Sequence, residues 1–471
     1  MALQSKILTV TKPSILIDGM SMLDTRDSKS PIKSTTNQHK IAGAVYPLIQ
    51  INKYQFDPQE VSGFMLDETG FLPKIRVSVY SHNGVFLSKY FPKDGDPMSV
   101  WIRSKMDEFK PIRCDFEITS INALPSIEAN GDAQSFTIEG VLRVPGLYAE
   151  WCKTFGDKTS YDTLIDLSKE LKLGFASNEV STADKQKWIC AFDNYEKFIK
   201  DITGSAYKDD NSFFETFIDK HYNLNFVNIN NQFSEEFDID KALVQMAMND
   251  DFHNTNENQN FSTDLYLCNH KGFKASGNFI KGYTLLNNAG QIIMDNGYRR
   301  ILQNYEDALH NDKPEDNYKS YFIEPVDTAN LGNDKVLLKG REGEDFYKIH
   351  NKYKYVGIQS TNTHSNYSHA IIQNWQNRQQ IDKMIMRVYL GFNNFNLYRG
   401  QRIPVVIIND GNTARQKATA SGEQSSEDKI SYDKFLSGYY FISGITYTWD
   451  SEVPIFRQEL FLNRREWPKT N

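Results

Sequence analysis

The stretch Lys74-Ile-Arg-Val-Ser-Val-Tyr80 decides the fold class of the N-terminal third of the chain, because every second side chain in it is apolar. This alternation places the isoleucine and both valines on one face of an extended strand. Asn83-Gly84 follows, and an Asn-Gly pair between two alternating runs is a strong hairpin signal, since both turn residues must take a positive φ. The sequence therefore predicts a returning strand at Val85-Phe86-Leu87.

Turn signals at intervals of about ten residues separate further short strands in this part of the chain. Ile112, Cys114, Phe116 and Ile118 again share one face of a strand. The remaining turns and strands are marked by Asp94-Gly95-Asp96, Val100, Ile102, Asn130-Gly131, Phe136 and Ile138. Short strands with regular turns are typical of a small antiparallel barrel or sandwich. We predict a first β-barrel over residues 41–150, preceded by an N-terminal arm or edge strand within residues 1–40.

The apolar period changes from two residues to about 3.6 at Thr159, which predicts helices. The first helix carries Tyr161, Leu164, Ile165 and Leu171, with Thr159 or Ser160 as N-cap and Gly174 as the stop. The second carries Tyr195, Phe198, Ile199 and Ile202 and ends at Gly204. A third, capped by Ser212, carries Phe213, Phe214, Phe217 and Ile218, and a strand follows at Leu224–Ile229. We predict an inserted α/β domain over residues 151–235, with these phenylalanines in its core; a sugar-stacking platform is the alternative.

Residues 236–350 show mixed signals and are predicted to be a connecting region, part of which belongs to a second barrel. We expect a helix near residues 242–248 and strands near residues 265–267, 279–280 and 291–294. The β pattern returns near Ile371, so residues 351–471 are predicted to form the second β-barrel. Its markers are Met384, Met386, Val388, Leu390, a turn at Arg399-Gly400, Val405–Ile408, Tyr440–Trp449 with a bulge at Gly444, Phe456, Leu460 and Leu462. Residues 410–431 are polar and are expected to be a flexible loop or a binding tip.

Composition excludes several classes of protein. The 471 residues carry 53 basic and 60 acidic side chains, a net charge of −7 that argues against a general nucleic-acid binder and a polybasic membrane-surface protein. With 39% hydrophobic and 13% aromatic residues, the chain is too apolar to be disordered. The N-terminus lacks a secretory signal pattern and no apolar run reaches the roughly 20 residues of a spanning helix. We expect a protein that is made in the cytoplasm and has no membrane-spanning segment.

Motifs that carry chemistry are missing from the sequence. It has no HExxH, Walker-type, GxGxxG or GxSxG pattern. We interpret His364 and His369 as exposed loop residues, since their spacing suits a metal site poorly, and Asp209-Asp210 as acidic residues at a helix start. Cys114, Cys152, Cys190 and Cys268 have no zinc-site spacing and are interpreted as buried free thiols. We therefore predict no catalytic, cofactor-binding or metal-binding residues, no cofactor and no enzyme activity.

Several motifs of the middle and end of the chain resemble those of a known family. The middle motifs are Tyr161-Asp-Thr-Leu-Ile165, Leu173-Gly-Phe-Ala-Ser-Asn178, Asp184-Lys-Gln-Lys-Trp-Ile-Cys190, Asn194-Tyr-Glu-Lys-Phe-Ile199 and Ala206-Tyr-Lys-Asp-Asp-Asn-Ser-Phe-Phe214. The final ones are Gly438-Tyr-Tyr-Phe-Ile-Ser-Gly-Ile-Thr446, Phe456-Arg-Gln-Glu-Leu460 and Asn463-Arg-Arg-Glu-Trp467. Together they resemble the baseplate hub proteins of contractile-tailed bacteriophages, part of a superfamily that includes type VI spike proteins, over about residues 40–467.

The resemblance implies an α+β, mainly β fold with two small antiparallel tube-like β-barrels, an inserted α/β domain and a mixed connecting region. It implies a homotrimeric structural hub in the virion tail baseplate. The hub would join the hexameric tail tube protein to the trimeric central spike protein, contact baseplate wedge proteins, and line the channel through which genomic DNA passes in transit. Three chains with two barrels each would then present six barrels to the hexameric tube while keeping the threefold symmetry of the trimeric spike. A mildly acidic channel wall, suggested by the net charge, would repel the passing DNA.

Two other functions remain open at the level of sequence. One is a tail-associated hydrolase that degrades cell-wall polymer, because paired carboxylates can never be excluded among 60 acidic residues. The other is a carbohydrate-binding all-β module. The symmetry argument for a hub also carries a condition: the first and last β regions should be separate units that superpose on each other, and one sheet shared by both would end that argument and the role derived from it.

Overall fold

The computed structural model describes residues 6–15, 45–81, 84–104, 112–125, 134–209, 212–233, 266–269, 279–285, 300–302, 320–321, 354–355 and 455–464, and, with short gaps, 364–408 and 433–452. Within these residues the chain is mainly β, with few helices. The strands are β1 (Leu8–Thr11), β2 (Val45–Ile51), β3 (Tyr54–Gln55), β4 (Val61–Asp67), β5 (Lys74–Ser81), β6 (Pro97–Ser104), β7 (Ile112–Pro125), β8 (Gln134–Leu142), β9 (Glu150–Lys158), β10 (Gly174–Ser177), β11 (Gln186–Asn194), β12 (Phe214–Ile218), β13 (Asn223–Asn228), β14 (Tyr266–Asn269), β15 (Phe279–Leu285), β16 (Arg300–Leu302), β17 (Ser320–Tyr321), β18 (Lys354–Tyr355), β19 (Met384–Leu390), β20 (Arg402–Ile408), β21 (Gly438–Asp450) and β22 (Arg457–Arg464). The helices are α1 (Ser160–Glu170) and α2 (Tyr195–Ser205), with a π-helical turn at Phe86–Tyr90 and a 3₁₀ turn at Ile229–Phe233.

One sheet of 13 strands joins the N-terminal and C-terminal β regions. Its order is β20-β14-β15-β19-β22-β21-β4-β5-β8-β7-β6-β2-β3. The two regions meet where β21 pairs antiparallel with β4, from Thr446 opposite Asp67 to Asp450 opposite Gly63. We call this β4–β21 pairing the seam. The expectation of two separate β units is therefore wrong: an edge strand of each region finds its hydrogen-bond partners in the other, which leaves neither edge exposed.

The strands on the C-terminal side of the seam pair in a closed circuit. β21 pairs with β22, and the pairing continues through β19, β15, β14 and β20 back to β21. Most of these pairs are antiparallel, whereas β14 lies parallel to both β15 and β20. On the N-terminal side the described strands β4-β5-β8-β7-β6-β2-β3 form a linear series.

The apolar alternation in the sequence correctly identifies the core-facing side chains of this sheet. In β5, Ile75, Val77 and Val79 are at most 2% exposed and alternate with residues that are partly or fully exposed. In β19, Met384 and Met386 alternate in the same way with partly buried residues. Burying one face of strands such as β5 and β19 removes apolar surface from water, which is the main favourable contribution to folding.

The predicted hairpin after β5 is wrong. Val85-Phe86-Leu87 does not return as a strand, and residues 86–90 form the π-helical turn instead. Both edges of β5 are already occupied, by β4 and by β8, so a following segment has no free edge to join. The turn instead places the Phe86 ring in the core, with its centroid 4.9 Å from that of Phe56 and 5.5 Å from that of Phe136.

The inserted region contains α1, α2, a four-stranded sheet and a two-stranded ribbon. The sheet has the order β1-β10-β13-β12, so the N-terminal strand β1 is an edge strand as predicted, and the ribbon pairs β9 with β11. Thr159 caps α1 as predicted, since its hydroxyl accepts a hydrogen bond from the Asp162 N–H. Gly174 does not end this helix; Lys172 takes the positive φ of 57° and Gly174 opens β10. A Cβ at Gly174 would collide with backbone and side chains of neighbouring segments, which explains the glycine.

The predicted third helix of this region is a strand. Residues 214–218 form β12, which pairs antiparallel with β13. The apolar residues suited a helix because they recur at four-residue spacing, but a strand also brings residues four apart to one face. Phe213 and Phe217 pack into a small cluster with Phe441 of β21, whereas Phe214 and Ile218 face the main core. A strand buried on both faces therefore produced a pattern typical of a helix.

The region near Ile371 is helical in its described residues and not extended as expected. Its Asn374 side chain donates hydrogen bonds to the carbonyls of Gly204 and Ala206, at 2.9 and 3.0 Å. These carbonyls belong to the end of α2, where a helix leaves its last acceptors without partners in its own backbone. The second helix accordingly ends at Ser205, close to the predicted stop at Gly204.

The remaining strand predictions are confirmed where the structure describes them. The strands expected near residues 265–267 and 279–280 are β14 and β15, and the turn at Gly400 has a φ of 91°. The bulge at Gly444 is confirmed by a register shift between Ile442 and Gly444. The predictions for residues 24–40, 130–131, 242–248, 291–294 and 410–431 lie outside the described residues. The domain boundaries stay predictions.

Candidate functional site

A cluster of buried charges lies where the inserted region meets both sides of the seam. Lys220, in the turn between β12 and β13, is 1% exposed. Its Nζ lies 3.0 Å from Oε1 of Glu68, which directly follows β4 and is 3% exposed. The same ammonium group lies 5.1 Å from the ring centroid of Tyr447 on β21. We call Lys220, Glu68 and Tyr447 the junction cluster, because each comes from a different part of the chain.

The turn that carries Lys220 is built by its neighbours. Oδ1 of Asp219 accepts hydrogen bonds from the N–H groups of His221 and Asn223, at 2.9 and 3.0 Å, as in an Asx turn. Tyr222 takes a positive φ of 61°, which is unusual for a bulky residue. The Tyr222 hydroxyl accepts a hydrogen bond of 2.8 Å from the N–H of Asp115 on β7. The turn is therefore bound to the N-terminal half of the sheet by its backbone geometry and by a side chain.

The charge on Lys220 is maintained by its surroundings. Burial by itself would lower the pKa of this ammonium group, but the Glu68 carboxylate and Tyr447 outweigh it and hold the pKa above its usual value. For Glu68, burial is the largest influence and raises the pKa of the carboxyl, whereas the Lys220 ammonium group lowers it by a smaller amount. A buried pair of this kind contributes less net stability than its attraction suggests, but removing one partner leaves an uncompensated charge.

The other groups around the junction cluster are held in their neutral forms. Burial raises the pKa of the Cys114 thiol, whose sulfur lies 3.4 Å from the carbonyl oxygen of Lys220. Burial likewise raises the pKa of the Tyr447 and Tyr222 hydroxyls. A reactive cysteine needs a lowered pKa, and a nucleophilic lysine needs a neutral amine. Neither condition is met, so the geometry suits a structural connection and not nucleophilic catalysis.

A second ion pair joins the same three parts of the chain. Nη2 of Arg399 lies 2.7 Å from Oε1 of Glu215 on β12, and both side chains are largely buried. The guanidinium also donates to the Gly70 carbonyl, beyond the end of β4, and lies 4.5 Å from the Phe217 ring centroid. The inserted region is thus connected to each side of the seam by two separate sets of charged contacts.

The residues singled out from the sequence lie elsewhere. His364 is 5% exposed, so its interpretation as an exposed residue is wrong; its Nε2 lies 3.0 Å from the Ser205 carbonyl, and burial lowers its pKa. His369 and Asp210 lie outside the described residues, and Asp209 precedes a strand and caps no helix. Cys114 and Cys190 are buried free thiols as predicted, whereas Cys152 is exposed. The side chain of Cys268 is not among those described.

Sequence reasoning did not find the junction cluster. Lys220 and Glu68 each follow a strand, where charged residues are usually solvated, and no local pattern distinguishes a buried one. Among the described residues, no group of three or more His, Cys, Asp or Glu side chains could hold a metal ion. Nor does any helix in this part of the chain have the length and apolar character needed to cross a membrane.

Comparison with known proteins gives similarity at the level of structure. No family model matches the chain, and no curated protein matches its sequence. The structure is similar to a tail protein from Neisseria meningitidis, with a TM-score of 0.48, 9% identity, and coverage of 89% of this chain and 97% of that one. A prophage tail protein from Shewanella oneidensis has a TM-score of 0.48 and 8% identity, with coverage of 89% of this chain and 98% of that one. A component of the Escherichia coli type VI secretion system has a TM-score of 0.38 and 9% identity, with coverage of 90% of this chain and 77% of that one.

Proposed function

We propose that this chain is a non-enzymatic structural component of a contractile-tail baseplate, the trimeric hub between the tail tube and the central spike. The observation that carries this proposal is that two distant β regions of one chain meet edge to edge at the seam, although their shared sheet rules out the symmetry argument in the form that the sequence suggested. A chain that joins two β regions edge to edge supplies about twice as many strands to a ring as a subunit with a single β region does. Three such chains would extend around a ring as far as six smaller subunits do.

The continuous sheet changes the form of the symmetry argument. We expected two separate barrels per chain, and the seam excludes that simple version. Only the C-terminal side forms a closed circuit within the described residues. In the revised symmetry argument, two neighbouring chains pair their edge strands in the same way as β4 and β21 pair within one chain. Strand pairing would then continue from each chain to the next around the ring.

An open strand edge is available for such a contact. β3 covers β2 at Gln50 and Ile51, and the Ile49 carbonyl accepts a hydrogen bond of 3.0 Å from the Phe56 N–H. The outer edge of residues 45–48 has no strand partner among the described residues. Unpaired N–H and C=O groups on an edge strand are a template for pairing with another chain. In the proposed ring this edge of one copy contacts the next copy.

The rigid connection between regions also suits a load-bearing part. The junction cluster and the Arg399–Glu215 pair fix the inserted region to both sides of the seam through buried contacts. A hub that transmits force between tube and spike requires its regions to move together. The same groups lack the pKa values that catalysis would require.

The expected acidic channel wall is not supported by the described face of the sheet. Residues that share the outer face of β8, β5, β4, β21, β22 and β19 carry four basic and four acidic side chains: Lys74, Arg76, Arg387, Arg457, Asp67, Glu139, Asp450 and Glu459. If this face lines the channel, DNA in transit meets a balanced surface that neither repels nor holds it strongly.

The mass of the purified protein in solution tests the proposal. Native mass spectrometry should show a particle of three times the 54.3 kDa chain mass, alone or after addition of a spike protein. Electron microscopy of that particle should show a ring with a central channel. A particle that stays monomeric with every candidate spike, or steady turnover of peptidoglycan by the pure protein, would contradict the proposal.

A further inference from the structure

A groove of about 360 Å³ lies on the exposed face of the sheet, directly over the seam. Its floor includes Met65 of β4 and Thr448 of β21, and its sides include Arg76 and Arg457. None of these residues belongs to the junction cluster, whose Tyr447 directly precedes Thr448 in β21 and projects to the opposite, buried face of the sheet. We call this feature the seam groove.

Four residues of the seam groove form one row across four strands. Arg76 lies opposite Met65, Met65 opposite Thr448, and Thr448 opposite Arg457. Directly paired residues of antiparallel strands project to the same face. The Cα atoms of Arg76 and Arg457 therefore lie on either side of the floor, three strand spacings apart, or about 14 Å at about 4.8 Å per strand.

Both guanidinium groups are available to a ligand. Arg457 is exposed and has no ion-pair partner among the described residues. Arg76 has only a long contact of 3.7 Å with Glu139, in which the two side chains are 57% and 45% exposed. Exposed pairs of that kind contribute little, so an incoming carboxylate can replace Glu139 at small cost.

The floor between the two arginines suits an apolar side chain. Met65 is 38% exposed and Ile455 at the rim is 55% exposed. Gly63 widens the space, because it has no side chain and the nearest atom to a Cβ there would be the Ser78 Cβ at 3.6 Å. Exposed apolar side chains in a concave, partly charged setting are typical of a binding site.

The geometry points to an extended acidic segment of a partner protein as the occupant of the seam groove, with the pattern acidic-x-apolar-x-acidic. In an extended peptide, residues i, i+2 and i+4 project to one side, and i and i+4 are separated by about 13 Å. This matches the spacing of Arg76 and Arg457, and places the central apolar residue over Met65. The inference does not depend on the proposed hub role.

A peptide fits the seam groove better than a nucleic acid does. Binding to a phosphate backbone requires many basic groups in an excess over acidic ones. Of the residues that line the groove, two are basic and one, Asp450, is acidic, which is too small an excess to hold a phosphate backbone. Two isolated arginines on either side of an apolar floor instead provide two carboxylate sites, each able to form a bidentate contact.

Fluorescence anisotropy with the full chain and a labelled peptide Ser-Glu-Ser-Leu-Ser-Glu-Ser tests the inference. We expect saturable binding, and binding weakened about fivefold or more by Arg76→Glu or Arg457→Glu, since each removes one carboxylate contact. Gly63→Val should also weaken it by filling the floor. A peptide with Gln in place of both Glu residues should bind at least fivefold more weakly for the same reason.

Lys187→Glu is the matched control, because Lys187 is exposed on β11, outside the 13-stranded sheet. This variant has the same charge change and should bind the peptide like the wild type. Thermal unfolding of each variant shows whether it is folded. The inference is overturned if the peptide does not bind, if the arginine variants bind it as well as the control does, or if a labelled oligothymidylate binds more tightly and depends on the same arginines.

Discussion

Replacing Lys220 by methionine should strongly destabilise the protein, because it leaves the Glu68 carboxylate buried without a partner. At the observed separation of 3.0 Å and an effective dielectric constant of about 20, the two charges attract each other by about 5.5 kcal/mol. Desolvation offsets much of this attraction in the intact pair, but the loss of one partner typically costs about 3–5 kcal/mol. We expect Lys220→Met to lower the free energy of unfolding by that amount at pH 7.5.

A double-mutant cycle measured by urea denaturation tests the reasoning. Glu68→Gln alone leaves a buried ammonium group and should cost a similar amount, whereas the double variant should regain much of the loss, with a coupling energy of at least about 2 kcal/mol. The penalty of Lys220→Met should also shrink as the pH falls from 7.5 to 5, because protonation of Glu68 removes the unpaired charge. Lys197→Met is the control: its pair with Asp193 is exposed, and its removal should change little. Additive single effects, within about 0.5 kcal/mol, would refute the buried pair as a coupled unit.

Three further predictions concern pH and packing. Stability should fall as the pH rises above 9.0, the usual pKa of Cys114, because the folded thiol keeps a proton that the unfolded chain releases; burial raises the pKa of the Cys190 thiol as well, so Cys114→Ala should reduce this decline without abolishing it. Stability should also fall below pH 6.5, the usual pKa of His364, since burial lowers the pKa and only the unfolded chain binds the proton; His364→Gln should reduce this slope by up to about 1.4 kcal/mol per pH unit. Gly444→Ala should lower the free energy of unfolding by about 1–3 kcal/mol, because the new Cβ would lie 2.6 Å from Cγ2 of Thr69, and adding Thr69→Ser should recover part of that loss. Gly156→Ala is the control, because a Cβ at Gly156 would have no atom within 4 Å.

Denaturation curves at several pH values measure the first two effects, and urea midpoints at neutral pH measure the third. An alkaline decline that is unchanged in Cys114→Ala would show that this thiol ionises in the folded state. An unchanged acid slope in His364→Gln would show that the ring is protonated before unfolding. Equal stabilities for Gly444→Ala and Gly156→Ala would show that the bulge can open without cost.

Local chemistry determined those features that the sequence predicted correctly. The alternation in β19 fixes which side chains are buried, because the period of a strand is a property of its own backbone. The start of α1 follows from the Thr159 hydroxyl and the Asp162 N–H, which are three residues apart. The resemblance of the middle and final motifs to hub proteins also depends on short segments. Each of these inferences needs information only from neighbouring residues.

Where the prediction failed, a distant part of the chain decided the result. The Val85–Leu87 segment could not form a strand because β8 already occupied the free edge of β5. Phe217 belongs to a strand and not to a helix because Phe441, far along the chain, supplies a second apolar surface for the other face of β12.

The sequence by itself determined that the described part of this chain is mainly β, which side chains of β5 and β19 face the core, and where α1 begins. Only the tertiary structure decided that the two β regions share one sheet, that Lys220 and Glu68 are buried together, and that Arg76 and Arg457 flank a groove. The physical reason is that strand edges, buried charges and grooves are properties of pairs of surfaces. Their free energy depends on which surface is brought opposite, and no short segment carries that information.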